Sequence, residues 1–306
     1  MNIAYLISAH TDAPQLTRLI NALHADAHFF IHIDLKSDIT QFAGLQSRPN
    51  VHFLPNEKRI NVRWGTILEV DYQMNLIKAA LDYPIAFDRI FFLSGMDYPL
   101  WSNERITAYL ESLGEKEVLQ GICMSGSGIR NRQKRLYRTP RPFVNYSFLS
   151  NKTNERIGIL LRKLGKLLGR RKHLRVDPFG LDLYKGSAWW CITQGLASYL
   201  YNKYTHVPEL RRYLTDSFGP AETLIQTIAF NSRTYGGNCI LSRGEYTTLA
   251  ALTPLHFIDY DPVIKIMDET DYDRLYDSDK MFTRKVISGR SDRLVEMIDV
   301  HRASAK

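Results

Sequence analysis

The sequence is poor in cysteine: three residues in 306, Cys123, Cys191 and Cys239, odd in number and far apart. That spacing excludes a disulfide framework and a zinc site, and it points to a reducing compartment. No apolar run approaches the ~20 residues of a membrane-spanning helix. Ile3 to Ala9 has no basic segment before it, which predicts no signal peptide. With 18 Gly and 12 Pro the chain is neither collagenous nor of low complexity. The first predicted strand runs into His10-Thr11-Asp12 instead of a glycine fingerprint, which excludes a Rossmann dinucleotide site. The P-loop signature, GxSxG and HExxH are also missing, which argues against P-loop NTPase, α/β-hydrolase and zinc-protease chemistry.

Positive charge is present but confined. Between Arg130 and Val176 there are 15 Lys and Arg against one acid, Glu155. The chain as a whole carries +8, so everything outside this insert sums to −6. That excludes a uniformly basic nucleic-acid binder.

What is there is a strand–helix rhythm. Buried strands are predicted at Asn2–Ser8, His28–Asp34, Val51–Leu54 and Arg89–Leu93, and helices at Ala13–His24 and Thr66–Leu81. This implies an α/β fold with a central, mostly parallel sheet and helices on both faces. Ligands bind such sheets where loops leave the C-terminal strand ends. Those loops hold His10, Asp34–Lys36 and Ser94–Asp97. A strand is predicted over Gly186–Ile192, helices at Gly195–Tyr204 and Pro220–Asn231, and a last helix near Asp292–His301. The chain reads as a single domain, 1–306: a nucleotide-binding half (1–124), a basic insert (125–180), and an acceptor and catalytic half (181–306). Polar loop tips and an aromatic-rich middle suit sugar or nucleotide-sugar chemistry.

Within the insert, Ile157, Leu160, Leu161, Leu164, Leu167 and Leu168 recur at helical spacing, with Arg156, Arg162, Lys163, Lys166 and Arg170 on other faces. Two readings stay open: a surface helix with its leucines in the core, or an interfacial helix on anionic lipid through 154–172.

Several segments, in order, carry a resemblance. They are AYLISAHTDAPQLTRLINAL, FIHIDLKSD (30–38), VRWGTILEVDYQMNLIKAAL (62–81), FFLSGMDYPL (91–100), KGSAWWCIT (185–193), GPAETLIQTIAFNS (219–232) and MFTRK (281–285). Together they resemble the core-2/I-branching N-acetylglucosaminyltransferase family (glycosyltransferase family 14), which includes the peptide xylosyltransferases. The resemblance implies a GT-A-type nucleotide-diphospho-sugar fold. It also implies inverting, metal-independent transfer from a UDP-sugar, most often UDP-N-acetylglucosamine, to a saccharide hydroxyl, with no cofactor.

An inverting transfer needs one carboxylate to take the acceptor proton as the hydroxyl attacks the anomeric carbon. The resemblance assigns this to Glu222; Ala221 stands where the family has Asp. Without the resemblance, Glu222 reads as a helix-start acid. Asp97 is the one acid in a strand-end turn where many GT-A enzymes hold a metal through Asp-x-Asp; it is either a donor-site residue or a turn former. The Asp259/Asp261, Asp271/Asp273 and Asp277/Asp279 pairs read as solvated caps. For the departing diphosphate the resemblance offers Arg284 and Lys285. It places Asp34 at uridine, with His10, Lys36, Trp64, Gly95 and Ser187 around the donor. Lys134, Arg135 and Tyr260 fall to the acceptor. Trp189 and Trp190 are expected to split between cleft and core, because strand side chains alternate.

The expected acceptor is a saccharide, lipid-linked in one reading, with no nucleic-acid partner. Animal relatives carry an anchor, a stem and disulfides, whereas this chain opens on its first strand. That predicts a cytoplasmic enzyme, peripheral on the inner membrane face, in surface-polysaccharide synthesis. A xylosyl- or other UDP-sugar transferase, and a non-catalytic saccharide- or lipid-binding module on the same fold, are the rival readings.

Overall fold

The computed structural model describes residues 1–124, 135–137, 150–168, 171–173, 180–215, 217, 219–243, 249–260 and 264–304. Only the backbone is described for 135–137 and 171–173 and for several positions of the 151–168 helix.

β1 (Ile3–Ala9), β2 (His28–Ile33), β3 (Val51–Phe53) and β4 (Arg89–Ser94) run parallel in the order β4-β1-β2-β3. The Trp190–Ile192 strand closes the β4 edge antiparallel. The sheet is therefore mixed but mostly parallel, and its strands are mostly apolar because both faces are covered. The pleat divides their side chains. Leu6, Phe30 and Phe92 pack with the Leu68–Leu81, Gln194–His206 and Leu224–Phe230 helices. Tyr5, Ile7, Phe29 and Phe91 pack on the other side with the Ala13–Ala22 and Asn103–Ser112 helices.

A second sheet joins His256–Ile258, Phe282–Arg284 and Asp97–Pro99, with Arg284 directly opposite Asp97. It sits just beyond β4 in the chain, so it lies at the carboxyl end of the main sheet. The Asp292–Ser304 helix packs beneath it through Leu294, Val295 and Ile298.

Four expectations need correction. Gly186–Ile192 is not one strand. Tyr184–Gly186 pairs with Gln120–Cys123, while Trp190–Ile192 pairs with β4. A Cβ on Gly186 would lie 1.9 Å from the Gln120 carbonyl oxygen, so only glycine permits that approach. The Pro220–Asn231 helix is a 3-10 turn, Pro220–Glu222, followed by Leu224–Phe230. Asp271 is no solvated cap: it is buried and bonded to Lys265 and Arg274. The Asn103–Ser112 and Pro208–Leu214 helices were not expected, although Ser102 caps the first by accepting the Arg105 N–H.

The basic stretch does form a helix, Asn151–Leu167. Its leucines are not in the core: Leu160, Leu164, Leu167 and Leu168 are exposed, Leu167 by 84%. Among the described residues no helix is long and apolar enough to cross a membrane.

Candidate active site

The carboxyl end of the main sheet gathers the donor candidates. Asp34 follows β2; its N–H donates to the Ala9 carbonyl (2.9 Å), which ties the β1 and β2 tips together. Its carboxylate accepts the Lys36 N–H at 3.0 Å and faces Lys36 Nζ at 3.3 Å. Beneath the tip lies Arg59, a buried residue that sequence reasoning missed. Its guanidinium donates to the Ile33, Asp34 and Ser37 carbonyls at 2.9, 2.9 and 2.7 Å. The tip is thus fixed from inside, with Lys36 left on the outer face.

Asp12 binds the C-terminal segment to the β1 loop, accepting from Ser288 N–H (2.8 Å) and the Ser288 hydroxyl (2.6 Å). This brings Arg284 and Lys285, three residues upstream and more, toward His10. Partial burial and the cations Arg284, Lys285 and Lys36 lower the His10 imidazole against the opposing pull of Asp34, so it is neutral near pH 7. Burial and the neighbouring Arg284 likewise lower the Lys285 ammonium. His10, Asp34, Lys36, Arg284 and Lys285 therefore share one electrostatic neighbourhood.

Asp97 is wholly buried beside it. Oδ1 accepts from Arg284 Nη1 (2.9 Å); Oδ2 accepts from the Ser94 N–H (2.7 Å) and lies 3.1 Å from His256 Nε2. Burial alone would raise this carboxyl, but His256, Arg284 and the Ser94 N–H hold it below the usual range. Arg284, the partner of Asp97, also lies with its guanidinium 5.1 Å from the Trp189 ring. Trp190 is fully buried on Phe92 and Trp189 half-buried on the Arg284 side, the split that alternation predicts.

Glu222 closes the 3-10 turn that opens with Gly219, whose φ of 68° lies in the left-handed region. The carboxylate is half-buried, and Lys185 Nζ lies 2.5 Å from its Oε2. Glu69 stands near it on the Leu68–Leu81 helix. Burial raises its carboxyl to about 7, with Glu222 adding to the rise and the Gly65 N–H and Arg284 opposing it. Glu69 thus feels both Glu222 and Arg284, which places the catalytic candidate near the cationic strand-end residues.

The remaining candidates surround these contacts or line the chain beyond them. Gly95 is buried, and a Cβ there would meet the Ala9 side chain at 2.8 Å, so it serves close packing. Ser187 is buried; its hydroxyl accepts the Trp189 N–H and its carbonyl accepts from Gln226 Nε2. Trp64 is 67% exposed at the turn before Gly65, and Tyr260 is 42% exposed. Lys134 lies outside the described residues, as does the side chain of Arg135. Lys185, His256, Arg59 and Glu69 were missed. Lys185 and Glu69 carried a signal, their places inside the KGSAWWCIT and VRWGTILEVDYQMNLIKAAL segments.

A protein with this sheet and a carboxylate beside a cationic strand-end cluster belongs to the α/β class that acts on ligands at its carboxyl edge. The Core-2/I-Branching enzyme family model matches residues 3–271, and the chain belongs to that family. Xylosyltransferase 2 of Homo sapiens is 28% identical over 241 residues, 76% of this chain and 25% of that protein. The beta-1,3-galactosyl-O-glycosyl-glycoprotein beta-1,6-N-acetylglucosaminyltransferase 4 of Mus musculus is 24% identical over 233 residues, 74% of this chain and 46% of that protein. The chain thus spans about a quarter of one relative and about half of the other. Glu222 falls within the family match; Arg284 and Lys285 fall beyond it.

Proposed function

We propose that this chain is an inverting glycosyltransferase that moves a sugar from a UDP-sugar to a saccharide hydroxyl. The observation that carries the reading is that Glu69 lies within electrostatic reach of both Glu222 and Arg284, while Arg284 with Lys36 and Lys285 also acts on His10, which sets the carboxylate near the cationic cluster. A base and a leaving-group site must face one another across the reacting carbon, and family membership supports glycosyl transfer as the reaction.

In this reading Asp34 orients the nucleoside, and Arg284 and Lys285 lie along the diphosphate. The acceptor oxygen attacks the anomeric carbon from the face opposite UDP, and its proton passes to Glu222. The Lys185 ion pair engages Oε2, which leaves Oε1 for that proton. The bond from the anomeric carbon to the phosphate oxygen breaks, and its electron pair leaves with UDP. Cations fixed before the reaction stabilise that charge.

The reading is metal-independent. Support comes from Asp97, whose two oxygens are already engaged by Arg284, His256 and the Ser94 N–H. The cations take the role that a metal would have.

The donor sugar is N-acetylglucosamine, β-linked in the product; xylose is the second reading, favoured by the name of the 28% identical relative. The acceptor is lipid-linked, and the enzyme meets an anionic inner membrane face through 154–172. The exposed leucines beside the exposed Arg156 and Lys163 support this, since apolar and cationic surface together suit such an interface. The test is a panel of UDP-sugars scored by UDP release and thermal stabilisation. UDP-N-acetylglucosamine should release UDP fastest. Failure of every UDP-sugar to bind or react would overturn the proposal in favour of a non-catalytic module.

A further inference from the structure

A chain of three hydrogen bonds runs from the Leu68–Leu81 helix to the backbone of the proposed base. Glu69 Oε2 accepts the Gly65 N–H at 2.8 Å. The Gly65 carbonyl accepts the Gly219 N–H at 2.9 Å, and the Gly219 carbonyl accepts the Glu222 N–H at 3.1 Å. Both glycines have positive φ, 73° and 68°, so these two turns suit no other residue well. A Cβ on Gly219 would lie 3.2 Å from Glu222 Oε2, so the turn lies close against the carboxylate it carries.

We infer that Glu69 is a positioning residue: it locks the Trp64-Gly65 turn against the Gly219–Glu222 turn and thereby sets where the base points. The inference rests on Glu222 being the base. The Gly65 N–H is the hydrogen-bond donor to the Glu69 carboxyl. The bond is strongest when that carboxyl is charged, because charge-assisted hydrogen bonds are roughly twice as strong as neutral ones. The charged groups that act on Glu69 are Glu222 from the facing turn and Arg284 from the Phe282–Arg284 strand. Tyr72 lies one turn along its own helix, and Lys185 pairs with Glu222. A carboxyl that titrates near pH 7 beside the base should tighten the turn above that pH and relax it below.

The test compares wild type with Glu69→Gln and Glu69→Ala, with Glu222→Gln alongside. Gln keeps an acceptor for the Gly65 N–H and removes the titration. We expect it to retain turnover within about fivefold and to lose an inflection near pH 7 that the wild-type kcat/KM profile shows. Ala removes the acceptor; kcat should fall ~30-fold with UDP affinity within twofold, since misplacing a catalytic group by about 1 Å can cost ~10²-fold. Unchanged turnover in Ala, or an inflection near pH 7 retained in Gln, would overturn the inference. If Ala fails to fold, the Gln profile decides alone. An active Glu222→Gln would instead overturn the assignment of the base, whatever the Glu69 variants do.

Discussion

Lys185 and Glu222, 37 residues apart in sequence, form a half-buried ion pair at 2.5 Å between the Tyr184–Gly186 strand and the Pro220–Glu222 turn. The strand is paired with Gln120–Cys123, and the ion pair favours one orientation of the carboxylate before any acceptor arrives. Preorganisation of this kind lowers the entropic cost of reaching the reactive geometry.

Replacing Lys185 with Met keeps most of the apolar stem and removes the charge. Turnover should fall about tenfold, the scale of a lost positioning contact, with UDP affinity unchanged. Isothermal titration with UDP beside steady-state kinetics separates the two. An equal loss in both would mean that Lys185 binds donor directly.

Asp97→Asn should cost stability. It would leave Arg284 and His256 beside a neutral group, and breaking a buried pair typically costs ~3–5 kcal/mol. The folded carboxyl is held below its unfolded value, about 3.9. Its contribution is therefore complete above that pH and is lost as pH falls through the folded value. Urea denaturation should show a wide gap between wild type and variant at pH 7, narrowing below pH 4. A constant gap would contradict this.

Activity should survive EDTA. Lys285→Ala should weaken UDP binding about tenfold, with acceptor KM nearly unchanged, because the proposed mechanism sets that ammonium against the leaving group rather than the acceptor. Activity lost in EDTA and restored by Mn²⁺ would show that a metal, not Lys285, neutralises the diphosphate.

The protein should sediment with anionic liposomes, far less with neutral ones, and release as salt rises. Changing Leu160, Leu164 and Leu167 together to Ser should weaken sedimentation while leaving the thermal transition in place, because all three are exposed. Equal sedimentation with neutral vesicles would remove the membrane from the account.

The main sheet was legible because its strands are almost wholly apolar, and a strand buried on both faces announces itself in sequence. The placement of His10, Asp34 and Lys36 was legible because a parallel sheet carries its loops at the carboxyl ends of its strands, where these residues stand. The split at Ser187–Trp189 was not, since apolar alternation is the same whether a strand stays in one sheet or passes to another. His256 lies 159 residues from Asp97, and no local pattern joins them. Glu69 looks like any acid in the first turn of a helix. Its position beside Glu222 depends on how that helix packs against the Pro220–Glu222 turn.

The central claim, that Glu222 takes the acceptor proton, is tested most directly by Glu222→Gln, with UDP binding and UDP release measured on the same preparation. The variant should bind UDP within twofold of wild type and lose ~10²–10⁴ in turnover, the usual contribution of a general base. Turnover within tenfold of wild type, with UDP binding intact, would contradict the account.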